Sequence, residues 1–269
     1  MKPTIIIAVY KNVIALETLF KSLERQTYKD FDIIVAEDGI SKEMSDFIAE
    51  NSHGFSIQHL TQEDNGWNKN AILNKAIVAA KTDWLIIIDG DCILHDRFVE
   101  MHLRYAKTKR VLAGKRVKLN VTLSDKLLDD INVISKLPQL LLKYMLPWNK
   151  GVKFVEEGFY INPDGIWGFI PKLRKMKMLK GCNMSFSKED ILSINGFDED
   201  YKLPAIGEDI DLTWRFKMAG CELFSMRNLA VEYHLYHKEN WTEQSVNVAM
   251  MNKKIADKKY ICTNGIEKL

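Results

Sequence analysis

The first ninety or so residues alternate between short apolar runs and longer stretches with helical spacing, and this rhythm limits the fold more than any other feature. Thr4–Val9 (TIIIAV) is a β-branched run and is expected to be a buried strand. Val13–Leu23 places Val13, Leu16, Leu19, Phe20 and Leu23 at the spacing of one helical face. Phe31–Ala36 predicts a second strand, Ser41 an N-cap for a helix to about Glu50, and Ser56–Leu60 a weaker third strand. Asn68–Ala80 gathers Ile72, Ala76, Ile77 and Ala80 on a helical face, and Trp84–Ile88 (WLIII) is the most apolar strand. Strands alternating with helices predict an α/β fold with a mostly parallel sheet covered on both faces. Ligands in such sheets bind beyond the carboxyl ends of the strands. Tyr10, Asp38, Asp89 and Asp91 stand at those ends.

The rest is less regular. Asp125–Tyr144 predicts one or two helices, and Pro147–Pro171 is rich in Gly, Pro and aromatic residues. Gly181–Ser187 restores a regular pattern, with a short helix from Lys188. Glu208–Ala219 predicts a helix with Ile210, Trp214 and Met218 on one face. A strand near Ala230–His234 and a charged helix from Thr242 complete the chain.

Composition removes several function classes. With 38 Lys and Arg against 36 Asp and Glu, the net charge of +2 offers no reason to expect a nucleic-acid partner. The four cysteines form no CxxC pair, which argues against a thiolate metal site or a disulfide framework and for reduced thiols. No run approaches the roughly 20 apolar residues of a membrane span. The apolar run after Met-Lys-Pro is too short for a signal peptide. A cytoplasmic protein is expected.

Three polar constellations carry chemistry. In Asp89-Gly90-Asp91, two carboxylates flank a glycine directly after a buried strand. Glycine permits a tight turn and close ligand approach, and the carboxylates suit magnesium or manganese holding a diphosphate. The plain alternative is a solvated acidic turn. Gly207-Glu208-Asp209-Ile210-Asp211 opens a predicted helix, where the dipole alone favours acids. One of these carboxylates could instead take the proton from an attacking hydroxyl. His234 and His237 are three apart, a spacing open to ordinary histidines or to a metal site begun by Asp91.

Taken together, IIIAVYKN, IIVAEDG, QEDNGWNKNAILNKAI, WLIIIDGDCILHDRFV, VLAGKRVKL, KGCNMSFSKEDILSINGFDEDY, GEDIDLTWRFKMAG and VEYHLYHKENW resemble, in order, the family 2 glycosyltransferases. They are similar above all to bacterial members whose C-terminal half is like the catalytic region of β-1,4-galactosyltransferases and chondroitin polymerases. The resemblance implies a GT-A fold, with a nucleotide-sugar-binding portion at 1–119, a variable acceptor or membrane-proximal insertion at 120–180, and a catalytic and acceptor portion at 181–269, all in one domain. It implies a UDP-sugar donor, a Mn2+ (or Mg2+) cofactor, and a carbohydrate or lipid-linked saccharide acceptor. By resemblance Tyr10 and Asp38 hold the nucleobase and ribose with Glu37 beside them. Ala8, Asn74, Asp89 and Gly90 also belong to the donor site. Asp91 with His237, and His234 as a further ligand, binds the metal. Asp209, with Glu208 before it, includes the catalytic base.

Three departures from the family pattern matter. Relatives often carry arginines where this chain has Asn68 and Leu73, so Lys69, Lys75, Lys115 or Arg116 would have to help neutralise a diphosphate. The aromatic common before the acidic pair is missing from Leu203–Gly207, which argues against simply taking over an N-acetylglucosamine-type acceptor. The 120–180 stretch has no clear match, and it ends in Lys172, Arg174, Lys175, Lys177 and Lys180 near Trp148, Phe159, Tyr160, Trp167 and Phe169. That mixture suits peripheral contact with the inner membrane or a lipid-linked phosphate, or else a solvated loop packed by its own aromatics. Two other functions compete. A nucleotidyltransferase would want a Gly-rich basic loop after the first strand, which VYKNVIAL lacks. A non-catalytic carbohydrate-binding protein would have no need of Asp91, Asp209 and His237 together.

Overall fold

The computed structural model describes residues 1–50, 53–146, 148–204, 206–238 and 243–269. Ten strands are present among them: β1 (Pro3–Val9), β2 (Asp32–Glu37), β3 (Ile57–Thr61), β4 (Trp84–Asp89), β5 (Cys92–Leu94), β6 (Arg110–Ala113), β7 (Arg116–Lys118), β8 (Asn183–Ser187), β9 (Glu222–Ser225) and β10 (Glu232–His234). Seven form one sheet in the order β3-β2-β1-β4-β8-β6-β9. The β1, β2, β3 and β4 ladders are parallel, while β8 runs antiparallel to both β4 and β6. This is the mostly parallel α/β sheet expected from the alternation.

The continuous apolar runs follow from burial on both faces. Ile5 and Ile7 point into one core with helix Val13–Glu24, and Ile6 and Ala8 into the other with helix Lys69–Ala79. Burying an isoleucine side chain stabilises by roughly 1.5–3 kcal/mol, so neither face tolerates a polar residue at these positions. Asn12 caps the first helix through the Ala15 N–H, and Ser41 accepts from the Met44 N–H as expected of an N-cap.

The less regular region differs from its expectation. In place of one or two helices over Asp125–Tyr144, the chain forms helix Val121–Asp129, a 3-10 turn Ile131–Lys136, helix Leu137–Leu142 and a second 3-10 turn Lys143–Met145. Asp130 ends the first helix and caps the next turn through the Asn132 N–H. Leu123, Leu127, Ile134, Leu137 and Leu141 join the same core as Ile5 and Ile7. The helix expected over Glu208–Ala219 is also divided, into a wide π-type turn Ile206–Ile210 and helix Asp211–Met218. The wide turn shifts the phase, so Leu212 and Phe216 face the core while Met218 is exposed. The expected C-terminal helix spans Ser245–Ala256, and its predicted start at Thr242 lies outside the described residues.

A second, three-stranded sheet in the order β5-β10-β7 lies beyond the end of β4. Antiparallel pairing sets His234 opposite Cys92, and the Leu235 N–H donates to the Asp91 carbonyl at 2.9 Å. This small sheet brings a late segment of the chain to the Asp89-Gly90-Asp91 turn.

Candidate active site

A cleft of about 580 Å³ opens at the carboxyl ends of β1, β2 and β4, a size suited to a small ligand. Ala8, Tyr10, Asp38, Asp89, Gly90, Asp91, His234 and His237 all line it, together with Trp67, Lys69 and Arg116. Gly90 is required by packing: a Cβ there would lie 2.6 Å from the Val9 side chain and 3.2 Å from the Ala8 carbonyl. The Gly90 N–H donates to that carbonyl, so the turn after β4 lies directly against β1.

The polar groups of the cleft hold one another. Tyr10 is 55% exposed at the lip, and its hydroxyl and the Lys11 ammonium both donate to Asp64. Asp38 accepts from Gln62 Nε2 at 2.7 Å and from the Asn68 N–H at 2.8 Å, fixing the 62–68 loop as well as lining the cleft. Glu37 is fully buried and turned to His59 at 2.9 Å, so it does not line the cleft beside Asp38.

Asn74 does not line the cleft. Its amide donates to the Phe197 carbonyl and to Glu199, and its oxygen accepts from the Phe197 N–H. The side chain is buried and pins helix Lys69–Ala79 to the 197–199 loop, away from the cleft lining. The helical face that carries Ile72 and Lys69 looks into the cleft; Asn74 is turned from it.

Asp89 sits between two cations, Lys69 at 2.7 Å and Arg116 at 2.9 Å. Burial raises its carboxyl, but the two cations overcome this and hold it at about 2. Asp91 faces histidines instead. Its Oδ2 lies 3.3 Å from His234 Nε2 and 3.4 Å from His237 Nε2. Ligand atoms of the three side chains fall within 4.8 Å of one another, and a carboxylate with two imidazoles suits a divalent transition metal such as manganese better than magnesium, which prefers oxygen ligands. A second gathering of Asp89, Cys92 and Cys182 fits a cation less well. Asp89 is already paired there, and burial pushes the Cys92 thiol well above its usual value.

A further cavity of about 240 Å³ adjoins the cleft, and Asp89 and Arg116 line both. Its walls include Lys115, Lys118, Phe154, Lys180, Gly181, Glu208 and Asp209. The wide turn sorts the three acids. Asp211 goes inward, accepting from the Tyr201 hydroxyl and the Trp214 indole N–H and pairing with Arg215. Glu208 and Asp209 are left facing the cavity. Gly207 permits this, because a Cβ there would lie 2.4 Å from Tyr201 Cβ. Glu208 pairs with Lys69 at 2.7 Å, so one lysine links the acidic turn to Asp89. Asp209 accepts from the Gly181 N–H and has Lys180 at 3.4 Å. Burial and the Glu208 charge push Asp209 up to about 7, against the pull of Lys180 and the Gly181 N–H.

Phe154 escaped the sequence reading. It precedes a 3-10 turn at φ 60 and ψ 40, and nothing in its neighbours signals that conformation or its place in the wall of this cavity. Of the basic–aromatic stretch, Tyr160 stacks on His95 and Arg174 pairs with Glu157, whereas Trp148 and Trp167 are 72% and 63% exposed. Ala205, within the stretch expected to lack an aromatic, lies outside the described residues.

Comparison with known proteins places this geometry. Residues 4–160 match the family model "Glycosyl transferase family 2", and residues 171–238 the model "N-terminal domain of galactosyltransferase". The chain is 25% identical over 252 residues to chondroitin synthase of Escherichia coli, covering 88% of this chain and 36% of that protein. It is 24% identical over 258 residues to chondroitin synthase of Pasteurella multocida, covering 90% and 25%. It thus spans about a quarter to a third of the length of these relatives. Among solved structures, S. aureus TarS 1-349 in complex with UDP-GlcNAc superposes with a TM-score of 0.59 at 12% identity, covering 96% of this chain and 66% of that one. The mannosyltransferase PcManGT from Pyrobaculum calidifontis, in complex with GDP-Man and Mn2+, gives 0.57 at 14% identity, covering 89% and 58%. With a mostly parallel sheet like that of these GT-A neighbours and a family model spanning more than half its length, the chain belongs to glycosyl transferase family 2.

Proposed function

We propose that this glycosyltransferase is metal-dependent and inverting, and moves a hexose or N-acetylhexosamine from a UDP-sugar to a carbohydrate acceptor in bacterial surface polysaccharide or lipopolysaccharide synthesis. The observation that carries this reading is the junction at Asp89 and Arg116, where a nucleotide-sized cleft meets a cavity holding a carboxyl poised near neutral pH. Asp91, His234 and His237 would hold a divalent ion, which when bound supplies Lewis-acid stabilisation of diphosphate charge. Tyr10 and Asp38 are at the nucleoside end of the cleft. Asp209 accepts the proton of the acceptor hydroxyl as its oxygen bonds to the anomeric carbon. The bond from that carbon to the diphosphate breaks, and the nucleoside diphosphate leaves with the electron pair. One carboxylate acting as base implies direct displacement, so an α-linked donor gives a β-linked product.

The test is hydrolysis and transfer with a panel of nucleotide sugars, with and without manganese. Asp91→Ala is expected to abolish the metal-dependent activity, and full activity in excess chelator would falsify the metal assignment. An α-linked product from an α-linked donor, read from its anomeric NMR coupling, would sink the inverting mechanism. The exposed Trp148, Trp167 and Phe169, with Lys172, Lys175 and Lys177 close in sequence, also support peripheral contact with an anionic membrane. No helix among the described residues is long and apolar enough to cross one.

A further inference from the structure

Lys69 stands on the wall of the larger cleft, yet it reaches an acid of the neighbouring cavity. Its ammonium lies 2.7 Å from Asp89 Oδ1 and 2.7 Å from Glu208 Oε2. An ammonium has three protons to give, and no third acceptor is present among the described residues. Burial works against its charge, but the two carboxylates overcome this and hold Lys69 well above its usual value. The backbone beneath it is fixed. Asn70 donates to the Asp198 carbonyl and Asn74 to the Phe197 carbonyl, so the helix that starts at Lys69 is pinned to the 197–198 segment.

The two carboxylates do not depend on Lys69 equally. Asp89 has a second cation, Arg116 at 2.9 Å, whereas Lys69 is the one cation paired with Glu208 among the described residues. Asp209 adjoins Glu208 in the same turn and meets Lys180 at 3.4 Å and the Gly181 N–H. Elsewhere on the cavity wall stand Asp89, Lys115, Arg116 and Lys118. The charge of Lys69 also reaches Asp209, pulling its carboxyl down against the upward push of burial and of Glu208. A group that draws the ammonium toward the cleft therefore leaves Asp89 matched by Arg116 but Glu208 without its cation. The uncompensated Glu208 charge then falls on Asp209.

We propose that Lys69 is a positioning residue that couples the cleft to the cavity: the diphosphate of a bound donor takes its third proton and draws the ammonium from Glu208, so that Asp209 gains proton affinity when a donor is in place. The inference rests on the reading of the cleft as the donor site and of Asp209 as the base. No covalent bond is made or broken at Lys69. A flexible four-carbon stem with a rotatable ammonium can shift between carboxylate and phosphate while its helix stays still. In its ionised form, a carboxylate of higher proton affinity takes the acceptor proton more readily.

The test is carbon-13 NMR of labelled aspartate carboxyls on the full chain, with the Asp209 signal assigned by its loss in Asp209→Asn. The probe is the β-methyl ester of UDP with magnesium, which carries no phosphate group that titrates near neutral pH and does not broaden the signals. Without the probe Asp209 should titrate at about 7, and with it the midpoint should move to higher pH. In Lys69→Met the midpoint should already be high without the probe, and the probe should move it little further. Lys69→Arg keeps a cation at the same place and should behave like wild type. The same wild-type midpoint with and without the probe overturns the proposal, and that comparison decides even if Lys69→Met fails to fold. An equal rise in wild type and Lys69→Met also overturns it, because the phosphates would then act on Asp209 without the lysine. Turnover run alongside keeps the two readings apart. Near wild-type turnover in Asp209→Asn removes the base, whereas lost turnover with an unmoved Asp209 midpoint removes only the coupling.

Discussion

Asp89 and Asp209 are carboxylates on the wall of the same cavity, yet their electrostatic surroundings are opposite. For both, burial raises the carboxyl. At Asp89 two cations at 2.7 and 2.9 Å reverse that effect, and the group is held at about 2. At Asp209 a second carboxylate adds to it, one lysine at 3.4 Å offsets it only in part, and the group rises to about 7. The first is suited to carrying permanent charge and to holding Lys69 and Arg116 at the edge of the cleft. The second is suited to changing charge during a reaction. The contrast separates a positioning acid from a catalytic one on partners alone.

The largest expected effect breaks the comparison at its catalytic end. Asp209→Asn keeps the shape and the Gly181 hydrogen bond but cannot take a proton, so kcat should fall about 10²–10⁴-fold. Calorimetry should show UDP binding retained, because the cleft contacts lie on the other side of Asp89. A variant with lost UDP affinity and near wild-type turnover would reassign the base to Glu208. At the other end, Asp89→Asn leaves Lys69 and Arg116 facing each other with one fewer anion. Breaking such a pair should cost roughly 3 kcal/mol, a fall in Tm of about 6–12 °C by scanning calorimetry. An unchanged Tm would mean that solvent screens the pair.

The pH profile sharpens the comparison further. As the ionised form of Asp209 is the active base, kcat/KM should rise with pH through about 7 and then level. Glu208→Gln removes the second cause of the shift, so the rising limb should move toward acid. No movement would mean that burial alone sets the value. The same shift bears on stability. A carboxyl raised from 3.8 to about 7 in the fold contributes stability that is fully present below 3.8 and lost as pH rises through 7. Asp209→Asn escapes that loss. Its Tm relative to wild type should climb between pH 4 and 7 by about 2–4 °C per kcal/mol and be flat above. A pH-independent difference would show that Asp209 is not raised in the folded protein.

The two ends of the molecule also differ in how legible they were. The strands β1, β2, β3 and β4 lie within a residue of their sequence-based bounds; for β1, β2 and β4 this is because continuous apolar runs buried on both faces carry their own signal, whereas β3 is a partly exposed edge strand. The Ser41 cap and the helix from Val13 are local in the same sense. The helix from Glu208 was misread, since a wide turn of π type changes which residues face inward without changing composition. For Asn74 the sequence names the helix but not the face, and only the fold shows its side chain bonded to the 197–199 loop.

By itself, the order of residues determined that this chain builds a parallel α/β sheet, that acids and a tyrosine end its strands, and that an acid-rich segment and two histidines follow later. Those are properties of short stretches, governed by side-chain shape, hydrogen-bond geometry and burial. Only the tertiary structure decided which carboxylate would meet cations. Lys69, Arg116 and Asp89 come from three separate elements, Asp209, Lys180 and Phe154 from three separate stretches of the chain, and the small sheet carries His234 to Asp91. A carboxyl's charge state depends on distance and desolvation in space, where a few ångströms decide the sign of the shift. No spacing along the chain encodes that.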